Sequence, residues 1–426
     1  MAESIQPIRS LDGAIRLPGD KSISHRYGML ASIAEGTSIL HNYSSGADCH
    51  STLACMESMG ARIEKDGTKI TIHGVGLDGL QAPSKPLDAG NSGSTIRMLS
   101  GILAGQRFDC EIFGDESLSR RPMGRILTPL RQMGASIEAR DGKFPPLHIH
   151  GQSLKPIDYT LPVASAQVKS CVLFAGLYCD GVTTVREPII TRDHSEIALR
   201  QFGAEVESSR GAISITGRPR LTGQELGVPG DLSSSAFFLV AALLRPGSRI
   251  VVENVGLNPT RSALMDFLAA GGAPLRVINL SQASGELVGD VVVEYAPWRG
   301  GLLEKSMTAA LIDEIPVLAV LGAASKEGLV VKDAAELRVK ETDRIATVAD
   351  NLQRMGVKIT VHEDGFEVPG GQSFHAAELD SFGDHRIAMA FSVAALAADG
   401  ECRIHNPEAA SVSFPEFYQM LRRLSK

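Results

Sequence analysis

The sequence predicts an α/β protein of mixed sheets, built from six similar units of roughly seventy residues each, and three observations lead there. The first is a duplicated segment. Leu17-Pro18-Gly19-Asp20-Lys21-Ser22-Ile23-Ser24-His25-Arg26 returns in degraded form as Val228-Pro229-Gly230-Asp231-Leu232-Ser233-Ser234-Ser235-Ala236-Phe237. The second is a helix stop followed by a short strand: Met59-Gly60-Ala61, Met133-Gly134-Ala135, Phe202-Gly203-Ala204, Gly271-Gly272-Ala273 and Met355-Gly356-Val357. Glycine suits the left-handed backbone that closes a helix, and the alternation in Ala61-Arg62-Ile63-Glu64 or Ala204-Glu205-Val206-Glu207 reads as a strand with one buried face. The third is a set of helices that open on small or polar residues: Ser22-Ile23-Ser24, Asn91-Ser92-Gly93-Ser94-Thr95, Ser165-Ala166-Gln167, Ser233-Ser234-Ser235, Asp313-Glu314 and Asp384-His385-Arg386. Each runs on into an apolar stretch, as in Val168 to Leu177 or Ala388 to Leu396.

A helix start offers unsatisfied N–H groups and the positive end of a dipole. Six such starts converging on one cleft would suit a small, multiply anionic ligand. The first Pro-Gly-Asp copy carries Lys21, Ser22 and Arg26 where the second has Leu232, Ser233 and Phe237. One copy is equipped for anions and the other keeps only the architecture, a pattern that points to an enzyme.

Composition narrows the class. With 426 residues the chain can hold two domains, each with a full core. A net charge of −7 argues against nonspecific nucleic-acid binding, which leans on excess Lys and Arg. The six cysteines have no C-x-x-C spacing, and reduced thiols are expected. No apolar run reaches the length of a membrane span. Met1 to Arg9 carries neither a signal-peptide core nor an Arg/Ser-rich transit pattern, so a cytoplasmic protein is expected.

Several constellations place charge at a helix start or a turn. Lys21 is a compact movable cation, and Arg26, one helical turn on, is a fork for carboxylate or phosphate. Asn91 to Arg97 is a glycine-containing turn whose amides could wrap a phosphate, with Gly93 permitting close approach. Ser119-Arg120-Arg121-Pro122-Met123 is a basic loop before a helix, open to a binding role or to none. Ser165 and Gln167, with Arg192 further along, supply oriented hydrogen bonds for a polyhydroxylated ligand.

The densest stretch is Leu337-Arg338-Val339-Lys340-Glu341-Thr342-Asp343-Arg344, between an apolar strand and a helix. Glu341 beside Lys340 and Arg344 is placed so that its protonation depends on the anion bound nearby. Asp313 opens an apolar helix, so capping is its default role, and both proton transfer and orientation of a neighbour are open to His385. His148 and His150 alternate along a strand without a third ligand, so no metal is expected.

Taken in order, L-P-G-D-K-S-I-S-H-R, G-N-S-G-S-T-I-R, S-R-R-P-M, S-A-Q-V-K, R-V-K-E-T-D-R and D-H-R-I-A-M resemble the 5-enolpyruvylshikimate-3-phosphate synthase (3-phosphoshikimate 1-carboxyvinyltransferase) family over essentially the whole chain. That resemblance implies a two-domain inside-out α/β barrel of three repeat units per domain, with the active site in the interdomain cleft. Domain I would comprise residues 1–18 plus 232–426, and domain II residues 19–231. The implied reaction moves the enolpyruvyl group of phosphoenolpyruvate onto the 5-hydroxyl of shikimate 3-phosphate, without a cofactor or metal, in a monomer.

Carried over by motif, Lys21, Ser22, Arg26, Ser165, Ala166, Gln167, Arg192, Asp313 and Lys340 would hold shikimate 3-phosphate. Lys21, Gly93, Arg121, Gln167, Arg344 and Arg386 would hold phosphoenolpyruvate, and Asn91 and His385 would support the site. Asp313, Glu341 and Lys21 would be catalytic: Asp313 as base, helped by Lys340, and Glu341 as the proton donor to the methylene carbon.

Four positions depart from the best-known family pattern: Glu336 for asparagine, Val412 for lysine, Met98 for proline and Ala166 for serine. Several resemble a second bacterial subgroup, some of whose members tolerate glyphosate through an alanine in place of the N-x-G glycine. Gly93 is kept, so sensitivity is expected. The sister UDP-N-acetylglucosamine enolpyruvyl transferases usually carry a cysteine on the loop matching Gly114 to Pro122, which has none here. A non-catalytic anion-binding protein is disfavoured because Asp313 and Glu341 are both present.

Overall fold

The computed structural model describes residues 2–426. Met1, the first residue of the segment expected to lack a targeting signal, lies outside the described residues. The chain forms two compact units. One, here the Lys21 unit, comprises Pro18–Val228 with Ala283–Gly285. The other, the Arg344 unit, holds the N-terminal residues through Leu17, Pro229–Gln282 and Glu286–Lys426.

Among the described residues there are six sheets, three in each unit, five of four strands and one of three. In every sheet one strand is paired parallel on one side and antiparallel on the other. Asp109–Phe113, for example, runs parallel to Leu87–Asp88 and antiparallel to Phe144–His150. Arg249–Gly256 runs parallel to Asp12–Arg16 and antiparallel to Glu286–Glu294. The three-stranded sheet keeps the rule, with Cys402–His405 parallel to Glu378–Asp380 and antiparallel to Ala2–Ile5. The mixed sheets expected from the repeat are therefore present, without any sheet closing on itself.

The parallel pairing requires a crossover, and in each repeat a helix supplies it or precedes the sheet. These are Lys21–Ser32, Gly93–Ala104 and Ala166–Gly176 in the Lys21 unit. In the Arg344 unit they are Leu232–Leu244, Ile315–Ala324 and His385–Ala395. All six are buried along most of their length, so that even polar side chains such as Ser24, His25 and Arg26 lie inside. Close packing shows at Gly101, where an added Cβ would lie 2.2 Å from the Cys171 carbonyl oxygen of the neighbouring helix. Each unit has its own apolar core. In the Arg344 unit Phe238 and Phe417 meet at 5.8 Å.

The helix stops behave as expected: Gly60, Gly134, Gly203, Gly272 and Gly356 all take positive φ. The two Pro-Gly-Asp copies also fold alike. Asp20 accepts from the Ile23 N–H and Asp231 from the Ser233 N–H, each as a helix cap. Five cysteines are buried, Cys110 is half-buried, and all six are free thiols. Among the described residues no single helix is long and apolar enough to cross a membrane.

Candidate active site

In the Lys21 unit the candidate residues sit on the first turns of the buried helices. Lys21 Nζ reaches Asp48 Oδ2 at 3.0 Å. Arg26 is buried and points back along its helix: Nη1 donates to the Ser22 carbonyl at 2.7 Å, Nε to Ser195 Oγ at 2.7 Å and Nη2 to Ser170 Oγ at 2.8 Å. Ser92 caps the Gly93–Ala104 helix by accepting from the Thr95 N–H at 3.1 Å. Above this turn Gln167 accepts from Arg97 Nη1 and donates to Ser94 Oγ, both at 2.9 Å. Arg121 donates to Asn91 Oδ1 at 2.8 Å and to Ser117 Oγ at 3.0 Å, and Asn91 in turn donates to Asp115. Gly93 is where these cations approach the backbone. An added Cβ would stand 2.7 Å from Arg97 Nη1 and 3.5 Å from Arg121 Nη1.

Ser165 caps the Ala166–Gly176 helix through the Val168 N–H. Arg192 lies in the half-buried turn before the His194–Gln201 helix. These helix starts and side-chain cations leave an anion-receptive surface on the unit.

In the Arg344 unit one guanidinium gathers three carboxylates. Arg344, 1 % exposed, reaches Asp384 Oδ2 at 2.8 Å, Glu341 Oε2 at 2.6 Å and Asp313 Oδ1 at 3.6 Å. Burial opposes its charge, but Asp384, Glu341 and Asp313 outweigh that and hold it protonated. Asp384 is also buried, which raises its pKa, yet Arg344 prevails and the net shift is downward. Asp384 further accepts from the Arg386 N–H at 2.8 Å, so it caps the His385–Ala395 helix while anchoring Arg344.

Arg386 Nη1 donates to the Asp313 carbonyl at 2.7 Å and lies 3.7 Å from Glu314 Oε1. Glu314 is buried and takes Arg261 at 3.3 Å and the Ser233 hydroxyl. Lys340 is half-buried; burial pushes its pKa down, against the pull of Asp313 and Glu336. His385 Nδ1 stands 4.0 Å from Asp384 Oδ1.

A sequence profile described as EPSP synthase (3-phosphoshikimate 1-carboxyvinyltransferase) matches residues 5–421. The chain belongs to the EPSP synthase family. It is 64 % identical to the 3-phosphoshikimate 1-carboxyvinyltransferase of Solibacter usitatus, over 100 % of both chains. To that of Koribacter versatilis it is 52 % identical, over 99 % of this chain and 98 % of the other. A solved EPSP synthase structure from Acinetobacter baumannii matches with a TM-score of 0.88 at 43 % identity, covering 100 % of this chain and 98 % of that one. The enolpyruvyl transferase NikO of Streptomyces tendae, at 17 % identity and a TM-score of 0.76, covers 99 % of this chain and 96 % of its own, and shares the fold.

The Lys21 unit holds Lys21, Ser22, Arg26, Asn91, Gly93, Arg121, Ser165, Ala166, Gln167 and Arg192. The Arg344 unit holds Asp313, Lys340, Glu341, Arg344, His385 and Arg386. One expectation is corrected. Asp313 does not cap its helix: the cap position is Glu314, which makes no side-chain cap bond, and the Asp313 carboxylate faces Arg344 instead.

The sequence reading passed over Asp48, Asp384, Glu314 and Arg261 as individual actors. Asp384 had a visible signal, its place in D-H-R-I-A-M directly before a helix. Asp48 and Arg261 had none, since their partners are remote in sequence. His148 and His150 pair instead with Glu111 at 3.3 Å and Asp109 at 3.1 Å.

Proposed function

We infer that the chain transfers the enolpyruvyl group of phosphoenolpyruvate to the 5-hydroxyl of shikimate 3-phosphate, releasing phosphate, as a step of the shikimate pathway. The family match from residue 5 to 421 supports this substrate pair. The observation that carries the chemistry is the Arg344 cluster, in which Asp313 and Glu341 face one buried cation at 3.6 and 2.6 Å. Two carboxylates on one guanidinium can differ in protonation as the bound charge changes, which is what paired proton transfers need.

In this reading Lys21, Ser22, Arg26, Ser165, Ala166, Gln167, Arg192, Asp313 and Lys340 hold shikimate 3-phosphate. Lys21, Gly93, Arg121, Gln167, Arg344 and Arg386 hold phosphoenolpyruvate, with Asn91 orienting Arg121. Asp313, helped by Lys340, takes the proton of the 5-hydroxyl as its oxygen bonds to C2 of phosphoenolpyruvate. Glu341 protonates the methylene carbon C3, completing a tetrahedral adduct. Loss of a methyl proton and of phosphate then restores the vinyl group. The cations stabilise charge that develops on the adduct, where oriented groups act most strongly.

Each unit is read as an inside-out α/β barrel, an arrangement supported by its three buried helices and three sheets. A division at the Pro-Gly-Asp copies, residues 1–18 with 232–426 and residues 19–231, goes with that reading, as do a monomeric state and a cytoplasmic location.

The deciding experiment is phosphate release from phosphoenolpyruvate with shikimate 3-phosphate or UDP-N-acetylglucosamine as acceptor, without added metal. Release with shikimate 3-phosphate alone is expected. Release only with the nucleotide sugar, or with neither, overturns the reading.

A further inference from the structure

Lys169 and Ser170 follow the Ser165-Ala166-Gln167 turn on the same helix, and the proposed reaction uses neither. We propose that Lys169 with Glu187 and Glu196, and Ser170 with Ser195, are positioning residues that hold the backbone leading into Arg192 and the guanidinium of Arg26. This rests on the reading that both arginines bind shikimate 3-phosphate.

The ion cluster is an unusual filling for a core. Lys169 is fully buried, as are both its partners, with Nζ 2.7 Å from Glu196 Oε1 and 3.1 Å from Glu187 Oε2. Taking three charges out of water is unfavourable, and an apolar trio of similar volume would serve stability as well or better. Two carboxyl groups face one ammonium, and Glu196 Oε2 accepts no hydrogen bond. What the cluster accomplishes is geometric. Lys169 Nζ also donates to the Thr191 carbonyl at 3.4 Å, while Glu187 Oε1 accepts from the Thr191 N–H at 3.2 Å and from its hydroxyl. Both peptide groups flanking Thr191 are thereby clamped, and the next residue is Arg192. The loop has little apolar anchorage of its own, since Ile189 and Ile190 are 47 % and 69 % exposed.

One residue along each helix, a second latch is aimed at Arg26. Ser170 Oγ donates to the Ala166 carbonyl at 2.7 Å, so it can only accept from Arg26 Nη2 and from Ser195. The Ser195 hydroxyl, 2.6 Å away, must then donate to Ser170 while accepting from Arg26 Nε. The polarity closes without conflict and fixes one whole edge of the guanidinium. Adjacent residues Ser195 and Glu196 thus meet adjacent residues Lys169 and Ser170 as a two-point latch between helices. A misplacement of about 1 Å at a binding group is enough to cost roughly a hundredfold in rate.

The test compares Ser195→Thr with the near-isosteric Ser195→Val, and adds Glu196→Gln, all in the full chain. KM for each substrate, kcat and the thermal midpoint are measured. Ser195→Val and Glu196→Gln should raise KM for shikimate 3-phosphate about tenfold or more, while KM for phosphoenolpyruvate stays within about twofold. Ser195→Thr, which keeps the hydroxyl, should stay close to the unsubstituted chain. An unchanged KM for shikimate 3-phosphate with a lowered midpoint, or an equal rise in both KM values, overturns the proposal. Should Glu196→Gln fail to fold, the Ser195 pair alone decides. If the unsubstituted chain does not use shikimate 3-phosphate, the functional reading fails, and that result is separate from any difference among the variants.

Discussion

Replacing Asp384 by asparagine is the sharpest single perturbation of the Arg344 cluster. The carboxylate accepts four hydrogen bonds: from Arg344 Nε at 2.8 Å, Arg344 Nη2 at 3.2 Å, Thr342 Oγ1 at 3.2 Å and the Arg386 N–H at 2.8 Å. Asparagine keeps one oxygen, which can still cap the helix, but its amide NH2 then faces the donors on Arg344 and Thr342. Removing one partner of a buried ion pair costs about 3–5 kcal/mol. Here Glu341 and Asp313 remain on the guanidinium, so the low end, about 3 kcal/mol, is expected.

For a unit of this size each kcal/mol moves Tm by about 2–4 °C, giving a fall of roughly 6–12 °C. Differential scanning calorimetry is the assay, because a chain of two units need not melt in one two-state step. The pH dependence supplies a second check. The folded pKa of Asp384 lies below its unfolded value, so its contribution is present above the ordinary aspartate pKa of about 3.9 and lost as pH falls through the folded value. The gap between the two proteins should be full at neutral pH and narrow below about pH 4. A shift under about 2 °C, or a gap that stays constant into acid, would refute the reasoning.

Three further outcomes are expected. Glu341→Gln should lower kcat by about 10²–10⁴-fold while shikimate 3-phosphate still binds by titration calorimetry; retained turnover would remove Glu341 as the proton donor. Burial lowers the pKa of Lys340, so the alkaline limb of kcat/KM should fall below the ordinary lysine range and move upward in Lys340→Arg. The linked stability has the opposite sense to an ion-paired lysine: it rises as pH climbs through the folded pKa, and Lys340→Met should abolish that rise. Glyphosate should inhibit the unsubstituted enzyme at concentrations near or below KM for phosphoenolpyruvate. In Gly93→Ala the methyl would stand 2.7 Å from Arg97 Nη1, so the guanidinium has to shift, and weaker inhibition than in the unsubstituted enzyme is expected. Equal inhibition of both proteins would sink the Gly93 argument.

Much of this was legible in the sequence where the cause is local. Asp20, Ser92, Ser165, Asp231 and Asp384 each cap a helix at a position marked by a polar residue before an apolar run. The same logic failed at Asp313, because an aspartate beside a helix start has two available partners and only the fold chose Arg344 over the backbone. The alternating strands were readable, whereas some of the short parallel edge strands were not. Leu87–Asp88 and Asp158–Thr160 are too short to carry a periodicity, and they exist because a neighbour's ladder extends them.

By itself the sequence determined the repeat, the α/β class, the family and the order of its motifs, since these depend on residues within a helical turn or a strand of one another. Tertiary structure alone decided which partner each buried charge meets: Lys21 with Asp48, Arg26 with the Ser195 hydroxyl, Lys169 with Glu187 and Glu196, Arg344 with Asp384. The physical reason is that a buried charge takes the partner that folding brings within about 3–4 Å, where low dielectric makes the interaction strong, and sequence distance has no part in that choice.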